Sequence, residues 1–227
     1  MSVLNVDKRQ DILHLLIKGS AKKAGYEIIK RYLDVIISLA LLIIALPVLA
    51  AIAAVIKTTS RGPVLFRSKR LGWGGREFWC YKFRTMVPDA EQQLLSRPDL
   101  QRQFSDGFKI KNDPRVTRLG AFLRKTSLDE LPQLFNVLRG DMSLIGPRPI
   151  LPPELTKRID CYGSHGVQLL SVKPGLGGIW QVSGRSDTSY AERIAMDMDY
   201  VARRSIWLDL KLMFLTAIVV IRRRGAY

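Results

Sequence analysis

The chain has 227 residues, and its 36 lysines and arginines against 20 acidic residues give a net charge of +16 at pH 7. A chain of this length can bury a core, and its hydrophobic content of 47% excludes disorder caused by low hydrophobicity. Two cysteines exclude a disulfide scaffold, and two histidines argue against a histidine-rich metal centre. The charge indicates a polyanionic partner, which leaves nucleic acid, an anionic membrane surface and phosphorylated substrates open.

The apolar residues are concentrated in an uncharged run from Val35 to Ile56. As a straight helix this run would measure about 33 Å, just enough to cross the hydrocarbon core of a bilayer. Pro47 lies inside the run, removes a backbone donor and disfavours the helical conformation of the residue before it. Both flanks are basic, so both ends should prefer the anionic cytoplasmic leaflet. We therefore predict a re-entrant helix-break-helix over residues 30–60, in preference to a single span.

Two other stretches have the character of interfacial helices. Asp11 to Lys18 is amphipathic, and it indicates that residues 1–29 form a juxtamembrane segment. Leu212 to Ile221 is apolar between basic ends and too short to span a bilayer, so it suits either an interfacial helix or a core helix. Asp34, at the start of the apolar run, is expected to pair with a basic residue of the preceding turn.

Residues 61–227 are expected to form one domain on the cytoplasmic face, with the C-terminal interfacial helix at its end. Short apolar and aromatic runs within residues 62–86 flank the cluster Gly72-Trp73-Gly74-Gly75, which predicts a β-hairpin. Lys82 and Arg84 would lie on the same face of the second strand. They could bind an anion together or remain solvated surface charges.

Two adjacent acids, Asp129 and Glu130, stand at the start of a predicted helix. Leucines spaced along one helical face follow them, and the helix is expected to end near Gly140. One interpretation of the acids is structural, because Ser127 and Glu130 have the spacing of a capping box and acids are common in first helical turns.

The surroundings of this acidic pair favour a chemical role. Basic residues cluster upstream of it, and the prolines of Pro147-Arg148-Pro149 downstream restrict the backbone that holds the arginine. Nearby cations favour an ionised carboxylate, and such a carboxylate can attack phosphorus, as in aspartyl-phosphate enzymes. The neighbouring acid could hold a hard cation such as Mg²⁺, while the arginines neutralise phosphoryl oxygens.

At these residues the sequence resembles the bacterial sugar transferase family, the monotopic polyprenyl-phosphate phosphoglycosyl transferases, in their minimal form. The resemblance extends from Lys30 to Tyr227 and includes Pro47 of the apolar run. The segments that carry it are KRYLD, GPVLFRSKRLG, YKFRTM, DPRVTRLGAFLRKTSLDELPQLFNVLRGDMSLIGPRP, KPGLGGIWQVSGR and DLKL. Gly177 departs from the family, whose members often carry threonine there. The resemblance implies an α-rich α+β fold on the cytoplasmic face of the bacterial inner membrane, entered by a re-entrant hairpin.

The resemblance also implies a two-step reaction. Asp129 would attack the β-phosphorus of a UDP-hexose, galactose or glucose being favoured, and UMP would leave. Polyprenyl (undecaprenyl) phosphate would then take the sugar phosphate from the enzyme, which initiates exopolysaccharide or related glycan assembly. Glu130 is implied as the Mg²⁺ ligand. The basic positions implied to contact substrate are Lys82, Arg84, Arg115, Arg124 and Arg148.

The expected partners are therefore a UDP-sugar, polyprenyl phosphate and membrane lipid, with a homodimer left open and no nucleic acid. Trp180, Gln181 and Arg185 lie in a glycine-rich stretch that would contact the nucleotide or the sugar, or would simply pack as a loop. The alternative to the enzyme is a non-enzymatic, membrane-anchored basic protein that binds anionic lipid or nucleic acid. In that alternative the two acids only cap a helix.

Overall fold

The computed structural model describes residues 24–107, 110, 112–183 and 189–222. The α-helices in chain order are α1 Ala24–Thr59, α2 Ala90–Ser96, α3 Pro98–Gly107, α4 Arg118–Thr126, α5 Gln133–Arg139, α6 Pro152–Tyr162, α7 Ile179–Ser183, α8 Tyr190–Arg203 and α9 Ile206–Arg222. The strands are β1 Leu65–Leu71, β2 Glu77–Phe83, β3 Ser143–Ile145 and β4 Gly175–Gly177. The predicted helix-rich α+β class is confirmed. The amphipathic stretch Asp11 to Lys18 lies outside the described residues.

Helix α1 runs without interruption through Pro47, so the predicted break between two helices is wrong. A proline costs a helix one backbone hydrogen bond and crowds the preceding turn, and α1 absorbs this cost because residues on both sides of Pro47 pack on the domain. The buried residues of this stripe are Asp34, Ser38, Leu42, Leu49, Ile52 and Ile56. Within the described part of the chain, α1 is the one helix long and apolar enough to cross a membrane. Its re-entrant path stays a prediction.

Three charged residues fix the start of α1 to the domain. The Lys30 ammonium donates to Asp209 Oδ2 over 2.9 Å, and Arg31 donates to two backbone carbonyls at the end of α5 over 2.6 and 2.7 Å. Asp34 accepts the backbone N–H of Leu144 over 3.0 Å, so the predicted pairing with a preceding basic residue is wrong. Buried polar groups are stabilised by such bonds. Lys30 and Arg31, the cations in the turn before the apolar run, therefore both bind protein groups.

The predicted β-hairpin is confirmed. Strands β1 and β2 pair antiparallel, from Leu65 opposite Phe83 to Leu71 opposite Glu77. A 3₁₀ turn over Trp73–Gly75 joins them, with Gly74 and Gly75 at φ values of 68° and 71° that favour glycine. Helix α5 is bonded to this hairpin, because its Asn136 side chain exchanges hydrogen bonds with the backbone of β2 at Trp79 and Tyr81 over 2.7 and 3.1 Å.

The core lies between α1, the hairpin, α4, α5 and the two C-terminal helices. Its most deeply buried members include Leu123, Leu134, Val137 and Met142. Strands β3 and β4 form a short parallel pair beside it. Helix α9 extends beyond the predicted stretch at both ends: it buries Leu212 in this core and exposes an apolar outer face that includes Trp207, Phe214 and Ile221.

Candidate functional site

The acidic pair lies in a 3₁₀ turn, Leu128–Glu130, rather than in the first turn of α5. Ser127 ends α4 with a left-handed φ of 58° and makes no side-chain capping bond to this turn. Pro132 then precedes α5, since a proline has no N–H to satisfy and its φ suits a helix start. The capping-box interpretation of Ser127 and Glu130 is therefore wrong.

Asp129 is a buried carboxyl group among charges of both signs. Its residue is only 7% exposed. Burial and the negative charge of Glu130 raise the pKa of Asp129 to about 6, although the positive charges of Lys82 and Arg124 oppose this rise. At neutral pH the carboxylate is thus ionised but poorly solvated, which is a favourable condition for a nucleophile or a cation ligand.

Glu130 is the more accessible acid of the pair. Its carboxylate accepts a hydrogen bond of 2.5 Å from Lys82, which β2 brings in from 48 positions earlier in the chain. The sequence-predicted proximity of Lys82 to the acids is therefore present in the fold. Among the described residues no three acidic, histidine or cysteine side chains gather in one group. The adjacent carboxylates still fit Mg²⁺, because this ion commonly takes one or two carboxylates and completes its shell with substrate phosphates and water.

Two further predicted arginines interact with each other, and one of them, Arg124, also interacts with Asp129. Arg124 donates from Nε to Thr85 Oγ1 over 2.9 Å, and burial lowers the pKa of Arg124 while the charge of Asp129 opposes that shift. Arg115 forms a two-pronged ion pair with Asp113, with distances of 2.8 and 2.6 Å, and also donates to a backbone carbonyl at the start of α2. The Arg115 guanidinium is thus already held by the protein, and its contact with substrate stays a prediction.

Arg84 is directed to the end of α1 rather than to the acids. Its guanidinium donates to the backbone carbonyls of Ser60 and Arg61 over 2.9 and 2.5 Å. There it borders a cavity of about 320 Å³ between the end of α1 and the start of α4, which we call the α1–α4 cleft. The cleft is lined by Ile56, Thr59, Ser60, Arg84, Met86, Thr117, Arg118 and Leu119.

Arg148 is the centre of a basic patch. Its guanidinium carbon lies 5.4 Å from the centre of the Trp180 ring, and that of Arg193 lies at the same distance. Burial and then the charge of Arg148 lower the pKa values of Arg193 and Arg70. Such mutual repulsion is typical of a site prepared for an anion. Arg185, from the same glycine-rich stretch, lies outside the described residues.

The hairpin contacts both the basic patch and the acidic pair. Arg70 of β1 donates to the Pro149 carbonyl over 3.2 Å, and Lys82 of β2 bonds Glu130 over 2.5 Å. The buried thiol of Cys80 on β2 is influenced by charges from both groups: burial raises the pKa of Cys80, the charges of Lys82, Arg70 and Arg148 lower it, and the charge of Glu130 raises it.

A buried ionic network, which the sequence did not predict, supports the backbone of Arg148. Asp197 of α8 accepts the backbone N–H of Arg148, and burial raises the pKa of Asp197 to about 6 despite the opposing charge of Arg158. Arg158 bridges Asp197 and Glu154 over 3.4 and 3.3 Å. The spacing of Glu154 and Arg158, four residues apart on a helix, could have predicted their ion pair from the sequence. No local pattern predicts that Asp197 joins it.

A buried carboxylate near the charges of Lys82 and Arg124 is an arrangement suited to phosphorylated substrates. The chain belongs to the bacterial sugar transferase family, whose profile matches residues 25–223.

Three relatives illustrate the match. The chain is 43% identical over 221 residues to an undecaprenyl-phosphate galactose phosphotransferase of Salmonella typhimurium, which covers 96% of this chain and 45% of the relative. It is 43% identical over 202 residues to the exopolysaccharide production protein ExoY of Rhizobium meliloti, covering 87% of this chain and 88% of the relative. It is 42% identical over 209 residues to a UDP-glucose:undecaprenyl-phosphate glucose-1-phosphate transferase of Klebsiella pneumoniae, covering 88% of this chain and 42% of the relative. The chain thus spans about half the length of several of its curated relatives and most of the length of ExoY.

Proposed function

We propose that this protein transfers a sugar 1-phosphate from a UDP-sugar to polyprenyl phosphate, and that the transfer initiates exopolysaccharide or related glycan assembly. The observation that carries the proposal is the buried Asp129 carboxylate, on which the positive charges of Lys82 and Arg124 act. The names of the relatives support a hexose donor, galactose or glucose, and undecaprenyl phosphate as acceptor. The rival interpretation, a non-enzymatic basic binder, treats the acids as helix caps, and Ser127 forms no such cap.

In the first step an oxygen of Asp129 bonds to the β-phosphorus of the donor. The bond from that phosphorus to the bridging oxygen breaks, and UMP leaves with the electron pair. In the second step an oxygen of the acceptor phosphate attacks the same phosphorus, the bond to Asp129 breaks, and the carboxylate is restored. The first step needs Asp129 as an anion, because a protonated carboxyl group is a poor nucleophile, and in the second step the same carboxylate is the leaving group.

The surrounding cations offset the repulsion between this carboxylate and the phosphates. Mg²⁺, if held by Glu130, would neutralise phosphoryl oxygens as they gain charge. Binding of a cation at Glu130 would also free the Lys82 ammonium for the donor. Arg148 would contact the diphosphate, and its neighbours Trp180 and Arg193 extend the same patch toward the nucleotide or sugar.

The proposed location of the protein at a membrane rests on the exposed apolar surfaces of two helices. Apolar side chains cover the outside of α1 and α9, so both helices can contact lipid while the charged site stays at the water boundary. The bacterial inner membrane, on its cytoplasmic face, provides both an anionic leaflet and UDP-sugars. Residues 30–60 would enter that leaflet and return by a bend within the continuous helix α1 at Pro47.

The pH dependence of the first step tests the electrostatic part of the proposal. We expect the single-turnover rate of UMP release to rise with pH through about 6, as Asp129 loses its proton. Lys82→Met should move this rise to higher pH, because loss of a nearby cation raises the pKa of Asp129 further. Lys69→Met is the matched control, since Lys69 forms an exposed ion pair with Glu77 on the same hairpin and should leave the profile in place. Identical profiles for Lys82→Met and the wild type would contradict this assignment.

The reaction itself is tested with the full chain in lipid nanodiscs. Purified protein is mixed with undecaprenyl phosphate, Mg²⁺ and a panel of UDP-sugars, and UMP and the lipid-linked product are measured. We expect one UDP-hexose to give both products in equal amounts. The proposal fails if none of the donors gives a lipid-linked sugar phosphate under conditions where the protein is folded.

A further inference from the structure

The α1–α4 cleft is an apolar cavity with two basic side chains on its lining. Ile56, Met86 and Leu119 contribute apolar walls, while Arg84 and Arg118 contribute the charges. The guanidinium of Arg84 donates to two carbonyls at the end of α1, so its charge is already bonded to the protein. The volume of about 320 Å³ is in the range of small-molecule sites.

The cleft adjoins the acidic site through the segment that follows β2. Arg84 and Met86 line the cleft, whereas Thr85 between them accepts the hydrogen bond from Arg124, whose charge acts on Asp129. Lys82, which bonds Glu130, is two residues before Arg84, or about 7 Å at the rise of an extended strand. A molecule with its head at the acids can therefore place its next atoms in the cleft.

The cleft also lies where a lipid would enter. Its α1 residues Ile56, Thr59 and Ser60 stand at the end of the long apolar helix. Whether α1 crosses the bilayer or returns, the end of its apolar run lies at the boundary between hydrocarbon and water. The cavity thus connects the apolar side of that boundary with the charged side.

We propose that the α1–α4 cleft receives the first isoprene units of the polyprenyl phosphate acceptor, with the phosphate directed toward Lys82 and the acidic pair. This inference rests on the proposed function, because the acceptor phosphate must reach the phosphorus carried by Asp129 and its chain must leave the site. A single prenyl chain with a terminal phosphate matches one apolar cavity beside one set of cations. A phospholipid with two acyl chains would have to place its second chain elsewhere.

Two neighbouring threonines provide the test and its control. Thr58 and Thr59 are both exposed near the end of α1, and the hydroxyl groups of both donate to the Val55 carbonyl. Thr59 lines the cleft, and Thr58 is not among its lining residues. Thr59→Trp should fill the cavity, whereas Thr58→Trp adds the same ring at the same depth of the membrane boundary.

We expect Thr59→Trp to raise the KM for undecaprenyl phosphate by about tenfold or more and to leave the KM for the UDP-sugar unchanged, as loss of acceptor binding alone requires. Thr58→Trp should match the wild type in both constants. Equal acceptor KM values in the two variants would overturn the assignment.

A second measurement needs no turnover and separates this inference from the proposed reaction. A photoreactive prenyl phosphate is cross-linked to the wild-type protein without donor, and the labelled peptides are mapped by mass spectrometry. We expect label near Thr59, Met86 or Leu119, removed by undecaprenyl phosphate and retained with phosphatidylglycerol. If the cleft is labelled in a protein that transfers no sugar phosphate, the cleft assignment is supported and the proposed transfer reaction is contradicted. Label elsewhere, or equal competition by phosphatidylglycerol, would overturn the cleft assignment even with transfer intact.

Discussion

Asp129→Asn should lower sugar phosphate transfer by at least about a thousandfold, because an amide cannot serve as the nucleophile toward phosphorus. The wild-type protein mixed with donor alone should gain the mass of one sugar phosphate on the peptide that contains Asp129. The variant should never show this adduct. Asp99→Asn is a suitable control, since Asp99 is an exposed acid paired with Arg97 and should transfer at the wild-type rate.

The same substitution should stabilise the free protein at high pH. Burial and Glu130 raise the pKa of Asp129 from 3.8 to about 6, so the folded state binds this proton more tightly than the unfolded state does. Stability that depends on this proton is present below pH 4 and is lost as pH rises through 6. We expect Asp129→Asn to gain on the order of 1–3 kcal/mol over the wild type at pH 8 and little at pH 4. Thermal unfolding of the variant and the wild type at the two pH values measures this stability difference. A variant that is less stable than the wild type at pH 8 would contradict the electrostatic explanation.

Arg158→Met should destabilise the protein by about 3–5 kcal/mol, because it leaves two buried carboxylates without their shared cation. Arg158 bridges Glu154 and Asp197 with almost no solvent exposure. The charges of Asp197 and Glu154 raise the pKa of Arg158 overall although burial lowers it, whereas at Asp197 burial outweighs the charge of Arg158 and raises the pKa. Transfer activity should fall as well, because Asp197 also holds the backbone N–H of Arg148.

The control for this variant is Arg203→Met on α8. Arg203 forms an ion pair with Asp199 four residues earlier, but both side chains are largely exposed, so its loss should cost no more than about 0.5 kcal/mol. The cost of Arg158→Met should shrink near pH 5, where Asp197, with a pKa of about 6, takes up a proton. Denaturant or thermal unfolding of both variants at pH 5 and pH 8 checks this. Equal costs for the two substitutions would show that the buried network adds nothing to stability.

The two predictions describe different uses of buried charge in one domain. Burial raises the pKa of Asp129 and of Asp197 to about 6. Asp197 forms an ion pair with Arg158 and supports the backbone of Arg148, whereas Asp129 lies beside the like charge of Glu130. Such an unfavourable environment is common at functional sites, where stability and reactivity compete.

Features that depend on residues close together in the sequence were predictable from the sequence alone. Local patterns predicted the apolar helical segment and the β-hairpin with its glycine-rich turn. The motif around the adjacent acids Asp129 and Glu130 indicated the family. The predicted break of the helix at Pro47 is absent because tertiary packing on both sides of the proline compensates for the lost hydrogen bond.

The tertiary structure alone decided which charges meet. Lys82 reaches Glu130 across 48 positions, Asp34 bonds the backbone of Leu144, and Asp197 holds Arg148. No sequence periodicity encodes such pairings, because they arise when separate elements pack around a common core. The burial that raises the pKa of Asp129 has the same origin, since desolvation is a property of the assembled domain and not of the residue.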